Sequence, residues 1–542
     1  MEFNLAQLHE AIAEAIPDRE CIIFRDRRLS WADVTERTRR LANHLIAAGL
    51  EVRAERAELQ GWESGQPHVA LYMHNCNEYL EGMLGAYKAR SVPFNVNYRY
   101  VEEELVYLLN DAGAEAIVYH SEFAPTLAKI LPQLPKLRTL VQVEDGSGEA
   151  LLPGAVEYEA ALAAASPERP KLEWSPDDLY ILYTGGTTGM PKGVLWRQND
   201  IFIAALGGRA RDGSAVKSVD EILERARTPL AKSLPAPPFM HGAAHWAAFT
   251  NFHGGNAIVI QEHTSHLDGD DVWSTVVREE VTAMLIVGDA FGRPLLDQLD
   301  KKTYDLSKFG VLITGGAALS ASLKKEFLER IPHLVIVDAI GSSESGGQGQ
   351  NISTKDTGAT TGSFQPGPDT CVLSEDLTHV LEPGSEEIGW FAKAGHVPLG
   401  YLGDREKTER TFPTTNGVRY SVPGDRSRHL ESGIIEVYGR DSQTINSGGE
   451  KIFAEEVEHA LKQQAPVWDA VVVGRPSERW GQEVVALVRL RDGADATREQ
   501  LIEECSKHIA RYKLPKDILF RDEIVRSPSG KADYRWAKEQ LG

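Results

Sequence analysis

The sequence predicts an α/β protein in two unequal parts: a large N-terminal domain of doubly wound α/β subdomains plus a small β-barrel over 1–440, and a small α+β C-terminal domain over 441–542. Three observations carry this reading. Short apolar runs alternate with helix-period stretches along much of the chain, the pattern of βαβ units around a parallel sheet. From about residue 385 the strands become shorter and turn-rich, which suits a small antiparallel barrel. After Arg440 a compact helix–strand–strand–helix pattern follows and sets the boundary near 440–445.

Taken in order, Val69-Ala70-Leu71-Tyr72 is strand-like and precedes a helical stretch over 78–89. Ala116-Ile117-Val118-Tyr119 precedes another helix, and Leu140-Val141-Gln142-Val143 follows it. Residues 144–154 combine Gly, Pro and acids and read as a surface loop. The alternation resumes with runs at 179–183, 283–287, 310–313 and 334–337. Within 206–231, Ser218 and Glu221 form a capping box ahead of Ile222-Leu223. The run 433–438 represents the turn-rich strands. A helix over 453–463, strands over 468–473 and 484–490, and a helix over 498–510 complete the small domain.

The 542 residues are 42% hydrophobic and 25% charged, an ordinary globular composition with length to spare for a core. Lys and Arg number 58 against 79 Asp and Glu, a net charge of −21. Such a balance opposes binding of nucleic acid or an anionic membrane by general electrostatics, so any phosphate must be captured locally. Four widely separated cysteines (Cys21, Cys76, Cys371, Cys505) without a CxxC pair disfavour a disulfide scaffold or zinc ribbon and fit a reducing cytoplasm. No signal peptide and no apolar run of about 18 residues is evident, so no transmembrane segment is expected. Peripheral membrane contact and oligomeric state stay open. Residues 441–542 carry 16 Lys+Arg and 18 Asp+Glu, and within 511–536 seven cations face four acids. That stretch is either a solvated face or a means of bringing positive charge to a phosphate held by the larger domain.

The most informative segment is Tyr183-Thr184-Gly185-Gly186-Thr187-Thr188-Gly189-Met190-Pro191-Lys192-Gly193, which follows a short apolar strand. Glycines let backbone N–H groups approach phosphate oxygens, hydroxyls add donors, and Lys192 adds a point charge. It is neither a Walker A loop nor GxGxxG. The segment resembles the phosphate loop of the adenylate-forming superfamily: acyl- and aryl-CoA synthetases, peptide-synthetase adenylation domains and luciferases. Further motifs follow in that superfamily's order. Ile313-Thr314-Gly315-Gly316-Ala317 resembles the glycine turn along the adenine. Asp338-Ala339-Ile340-Gly341-Ser342-Ser343-Glu344 resembles the "YGxTE" segment, with Ile340 where an aromatic usually stacks on adenine. Gly424-Asp425 resembles the motif whose carboxylate takes the ribose hydroxyls, and Gly439-Arg440 the "GR" at the domain junction. Gly448-Gly449 and the helix opening at Glu455 resemble the start of the C-terminal domain, Trp480-Gly481-Gln482 its "WGE", and Ser527-Pro528-Ser529-Gly530-Lys531 the turn bearing a catalytic lysine.

The resemblance implies a two-step reaction in which a carboxylate attacks the α-phosphorus of ATP, and the thiol of coenzyme A then displaces AMP. It implies that Gly185, Gly186, Thr187, Thr188, Lys192, Gly315, Gly316, Asp338, Ala339, Ser343, Asp425 and Arg440 bind ATP together with Thr184. Thr184 and Glu344 would hold Mg²⁺ with hard oxygens. Lys531 would bridge carboxylate and α-phosphate, and would leave when the small mobile domain rotates about Ser442. Gly448 and Gly449 would then line the channel for CoA. Pro237-Pro238-Phe239-Met240-His241-Gly242-Ala243-Ala244-His245-Trp246 occupies the acid-binding segment, where His241 would orient the carboxylate. His245 and Trp246 read equally as core packing or as acyl-binding residues. The spacing of His241 and His245 is also metal spacing on a helix, but the HExxH glutamate is absent. Met240 stands where amino-acid-activating domains place an aspartate, which disfavours an amino-acid substrate.

The segment 206–231, Asn95-Val96-Asn97-Tyr98-Arg99-Tyr100 and Trp196-Arg197-Gln198 look most like bacterial CoA ligases of sterol side chains and long acyl chains. The expected activity is therefore AMP-forming conversion of a hydrophobic small-molecule carboxylic acid to its CoA thioester. The alternatives are transfer of the acyl group to a carrier protein, or an aryl-acid CoA ligase.

Overall fold

The computed structural model describes the chain apart from residues 185–189, 211, 229–230, 448–449, 478–479, 528–529 and 542 and the side chains of 442, 450 and 451. Its N-terminal part holds one parallel sheet and one large mixed sheet. In one, the strands Val92–Asn95, His68–Tyr72, Ala114–His120, Thr139–Val143 and Ala155–Glu157 lie side by side, all parallel. Read in chain order this is 2-1-3-4-5, a doubly wound arrangement. His68–Tyr72 and Ala114–His120 are buried along their whole length, as strands covered on both faces must be.

The second sheet runs through thirteen strands among the described residues. Its parallel centre places Glu20–Phe24, Ala257–Ile260, Lys232–Pro235, Ala283–Ile286, Val311–Gly315 and Val335–Ser342 in that spatial order. At Val335–Ser342 the chain folds back through Gly346, whose φ is +68°, into the antiparallel strand Gly346–Ser353. Antiparallel pairing then continues through Ser363–Pro366, Ile435–Arg440, Asp425–His429, Gly389–Lys393 and Thr370–Leu373. The antiparallel region thus begins at Gly346 and not near 385, because a strand inside the glycine-rich 346–353 stretch lacks the apolar alternation that advertises one.

A second difference concerns 179–183. These residues belong to the strand Leu179–Thr184, which pairs antiparallel with Lys192–Arg197 in a separate three-stranded sheet completed by Gly400–Tyr401. The connection between the first two strands is too short for a parallel crossover, which needs a dozen residues or more.

Beyond Arg440 a short 3-10 turn, Asp441–Gln443, leads into a five-stranded sheet of Thr444–Ser447, Glu450–Phe453, Val467–Ser477, Gly481–Leu490 and Asp517–Phe520. The helices Ala454–Lys462, Arg498–Cys505 and Tyr534–Glu539 cover it. The helix expected over 498–510 stops at Cys505, where the Ser506 hydroxyl turns back onto the Glu503 carbonyl at 2.6 Å. Ile445, Val457, Leu461, Val472 and Leu501 build a core here that is separate from those of the larger part. No helix among the described residues is long and apolar enough to cross a membrane.

Candidate active site

The antiparallel hairpin sets the first wall of a cleft. Thr184 and Lys192 face each other in its register at the open end, flanking Gly185, Gly186, Thr187 and Thr188, which lie outside the described residues. Asn95 clamps the hairpin: its side chain accepts from the Tyr183 N–H at 2.8 Å and donates to the carbonyls of Tyr183 and Met240, both at 2.8 Å. Lys192 Nζ lies 3.6 Å from Asp111 and 4.0 Å from Asp404.

The third strand of the small sheet fixes Glu344. Tyr401 donates its hydroxyl to Glu344 Oε1 at 2.8 Å, and the Ser421 hydroxyl donates to the Glu344 carbonyl at 2.5 Å. The Trp196 indole holds the neighbouring Ser343 carbonyl at 2.9 Å. Burial, then the Glu344 carboxylate, pushes the Tyr401 phenol far above its ordinary pKa, so it stays a donor. Glu344 Oε2 and the Thr184 hydroxyl are hard oxygen donors of the kind Mg²⁺ takes.

The acid-binding segment is pinned by two asparagines. Besides Asn95, Asn75 donates to the Pro237 carbonyl at 2.9 Å and accepts from the Phe239 N–H at 2.6 Å. His241 then caps the helix Gly242–His253 without using its side chain. Its Nε2 is buried and has no hydrogen-bond partner among the described residues. Burial, aided by the charge of Lys531 and by His245 and Arg99, lowers its pKa to about 3, so the ring is neutral near pH 7.

His245 is different. Its Nδ1 meets the Phe239 carbonyl at 2.7 Å, its Nε2 meets the Tyr180 hydroxyl, and that hydroxyl accepts from the Trp246 indole at 2.7 Å. The chain of donors assigns Nδ1–H and an Nε2 lone pair already engaged. Both ring nitrogens are therefore occupied, which removes the metal reading of the His241–His245 spacing. Trp246 is half-buried and tied to the same network. Gly242, Ala243 and Ala247 stay half-exposed on the same helix, whereas Ala244, His245, Ala248 and Phe249 are buried.

On the nucleotide side, Gly315 ends its strand opposite Ala339, and Gly316 follows with φ +86°. Asp338 is buried, and its Oδ2 is committed to Lys324 Nζ at 2.6 Å; Lys324 also donates to the Thr360 carbonyl at 2.6 Å. The ATP-binding role implied for Asp338 thus falls on a carboxylate already paired with a buried lysine. Ile340 packs toward Val372, Leu381, Phe391 and Ile435, so the missing aromatic is replaced by a side chain that completes an apolar cluster.

The junction gathers the remaining groups. Asp425 and Arg440 are register partners, and Arg440 Nε lies 3.1 Å from Asp425 Oδ1. Burial raises the Asp425 pKa against the pull of Arg440, with Glu344 raising it further and Lys531 lowering it. Lys531, more than ninety positions beyond Arg440, reaches this cluster from the small domain. Its neighbours in the cleft lower its pKa, chiefly by stripping part of its solvation and then through Arg440; Glu344, Asp425 and Glu455 oppose that shift. The turn carrying it is built by Ser527, whose carbonyl accepts from the Gly530 N–H at 2.8 Å and whose hydroxyl accepts from the Lys531 N–H at 3.2 Å. Gly530 has φ +71°, and a Cβ there would stand 3.2 Å from Val287, so the turn seats against the larger part. Lys462 of the small domain also faces Asp289 at 3.7 Å.

His241, Glu344, Asp425, Arg440 and Lys531 are therefore brought into one cleft. Gly448 and Gly449 lie outside the described residues, as does the Ser442 side chain. Other residues that share in the family likeness are structural: Gln198 accepts from the Asn4 side chain at 2.8 Å and the Leu5 N–H at 2.9 Å, anchoring the N-terminus. The helix Val219–Ala226, capped by Ser218, packs on the helix Leu5–Ala15, and Ala226 closes on Gly255 behind the helix Gly242–His253. Asn75, Ser421 and Tyr401 were not anticipated, since isolated polar residues in strands and loops carry no motif.

The AMP-binding enzyme family matches residues 9–389, and the AMP-binding enzyme C-terminal domain matches 456–531. The chain is 53% identical over 540 residues to the medium-chain acyl-CoA ligase Mig of Mycobacterium avium, covering 99% of this chain and 98% of that protein. It is 42% identical to 3-oxocholest-4-en-26-oate–CoA ligase of Rhodococcus rhodochrous, covering 100% and 96%. Among solved structures, the anthranilate CoA ligase AuaEII in complex with anthranoyl-AMP superposes with a TM-score of 0.84 at 20% identity, covering 100% of this chain and 98% of that one, a likeness of fold. Matched by that family over most of its length and by a 53% identical relative over 99% of it, the chain belongs to the AMP-binding enzyme family.

Proposed function

We propose that this protein is an AMP-forming acyl-CoA synthetase acting on a hydrophobic carboxylic acid, a medium- or long-chain fatty acid or a sterol side-chain acid. The observation that carries the reading is the convergence of Lys531 with His241, Glu344, Asp425 and Arg440. Two anions must meet in the first step, and fixed positive charge at the point of contact lowers that barrier. Lys531 supplies it between the carboxylate and the α-phosphate, while neutral His241 orients the acid without competing as a second cation. The carboxylate oxygen bonds to the α-phosphorus and the bond to the β-phosphate breaks, releasing pyrophosphate. Asp425 takes the ribose hydroxyls, held in place by Arg440. Glu344 and Thr184 would hold Mg²⁺, which supplies charge neutralisation at the phosphates.

The second step needs the lysine out of the way and a thiol in its place. The boundary at 440–441, with the 3-10 turn Asp441–Gln443 beside it, supports rotation about Ser442 that withdraws Lys531 and brings Gly448 and Gly449 to the CoA channel. The thiol sulfur then bonds to the acyl carbon, AMP departs, and the thiol proton is lost to solvent. Small residues on the open face of the helix Gly242–His253 support an apolar acyl pocket, and the two named relatives act on medium-chain acids and a steroid acid. The four cysteines are unpaired, which supports a cytoplasmic setting.

The test is CoA-dependent AMP formation over straight-chain acids from about C6 to C18 and steroid side-chain acids. Each buried CH₂ contributes up to ~0.8 kcal/mol, so kcat/KM rises several-fold per methylene until the pocket fills. Acetate or an amino acid as best substrate contradicts the reading of the pocket, and AMP release independent of CoA contradicts that of the second step.

A further inference from the structure

Tyr401 has a second neighbour. The Lys407 ammonium lies over its ring, 4.1 Å from the centroid, while the hydroxyl of the same ring holds Glu344 at 2.8 Å. Lys407 belongs to the helix Arg405–Thr411, and its backbone N–H is bound by the Asp404 carboxylate at 3.0 Å. That carboxylate also stands 4.0 Å from Lys192 Nζ. Lys407 is therefore linked through the Tyr401 ring to Glu344, read above as a metal ligand, and through Asp404 to Lys192, read above as a phosphate ligand.

The two lysines differ in what they already hold. Lys192 has carboxylates at 3.6 and 4.0 Å. Lys407 has no ion-pair or hydrogen-bond partner for its ammonium among the described residues, only the Tyr401 ring. Half-buried, it feels Glu344 and Asp404 as attractive charges and Lys192 and Arg410 as repulsive ones. A stacked ammonium with no carboxylate at ion-pair distance among the described residues is weakly satisfied as a structural element. It is well suited to an anion carrying several negative charges, which would relieve the repulsion with Lys192 and add charge-assisted hydrogen bonds.

We propose that Lys407 is a pyrophosphate-binding residue, contacting the β- and γ-phosphates of ATP and retaining the pyrophosphate leaving group beside Glu344 and Lys192. This rests on the reading of Glu344 and Lys192 under the proposed function. A contact to the leaving group acts in adenylation in both directions and is idle in thioester formation. It is a site of differential charge, because the leaving pyrophosphate bears more negative charge than the same phosphates in ATP.

The experiment is the acid-dependent exchange of labelled pyrophosphate into ATP, run with Lys407→Met, which keeps length and apolar contact, and with Lys407→Arg, which keeps the charge. Loss of one charged hydrogen bond raises KM for pyrophosphate and for ATP about tenfold or more in Lys407→Met. Lys407→Arg restores most of that loss, and thioester formation from supplied acyl-AMP is unchanged in both. A structural role confined to the Tyr401 ring would instead lower the melting temperature and move every parameter together, and would overturn the proposal. Unchanged KM for pyrophosphate and ATP in Lys407→Met overturns it as well. Glu344→Gln, assayed alongside for its magnesium dependence, separates the two levels. If Glu344→Gln shifts that dependence and Lys407→Met changes nothing, only the Lys407 assignment falls; if neither variant has an effect, the reading of this side of the cleft falls with it.

Discussion

His241 and His245 are four residues apart, yet their surroundings assign them opposite work. His245 spends both nitrogens on Phe239 and Tyr180, whereas His241 keeps a buried Nε2 with no partner among the described residues. The difference comes from residues that no local pattern connects, Tyr180 being 65 positions away. Tyr180→Phe strands the Trp246 N–H and the His245 lone pair in a buried place. It should cost about 1–3 kcal/mol of stability while leaving KM for ATP unchanged. Chemical denaturation with parallel kinetics checks this; a neutral effect on stability would mean that the network is replaceable by packing.

At the scale of elements, the turn from Ser527 to Lys531 decides whether the lysine can reach its target. Gly530 needs its left-handed φ of +71° and leaves room of only 3.2 Å to Val287. An alanine there should cost about 1 kcal/mol for the backbone alone. It should slow adenylation through weakened docking while sparing thioester formation from supplied acyl-AMP. Both half-reactions of Gly530→Ala are to be measured, and equal loss in both would place the glycine's role outside docking. This turn was legible because glycine and lysine recur in a fixed family order; so were the βαβ runs, whose apolar residues are contiguous. The hairpin strand Leu179–Thr184 was misplaced because its apolar composition matches that of a parallel strand, and only the length of its connection tells them apart. The asparagine clamps at 75 and 95 were illegible, since each bonds backbone from a segment more than eighty residues distant.

For the whole molecule, the pH dependence of stability follows from its buried imidazoles. His68, His74, His120, His245 and His253 are held at about 4 and His241 at about 3, all chiefly by burial, against an ordinary 6.5. Between those values the unfolded chain binds more protons than the folded one, so stability rises with pH there and is lost as pH falls below about 6.5. Carboxylates with raised pKa act in the opposite sense: Asp338 and Asp425 at the acid end, and Glu455, pushed up to about 7 by burial and by Glu458, within the same window, where the six imidazoles outnumber it. The apparent Tm should therefore fall by several degrees between pH 7 and pH 5; a rise over that interval would contradict the burial described here.

Under the proposed function, one lysine from the small domain serves only the first of two chemical steps in a shared cleft. Its approach to His241, Glu344, Asp425 and Arg440 is a property of the two parts docked together. The direct measurement is Lys531→Ala in the two half-reactions, adenylate formation from acid and ATP, and thioester formation from supplied acyl-AMP and CoA. Adenylation is expected to fall by at least about a hundredfold, as when a fixed charge at the reacting centre is removed, while thioester formation stays close to that of the unaltered protein. Equal loss in both, or none in the first, would contradict it.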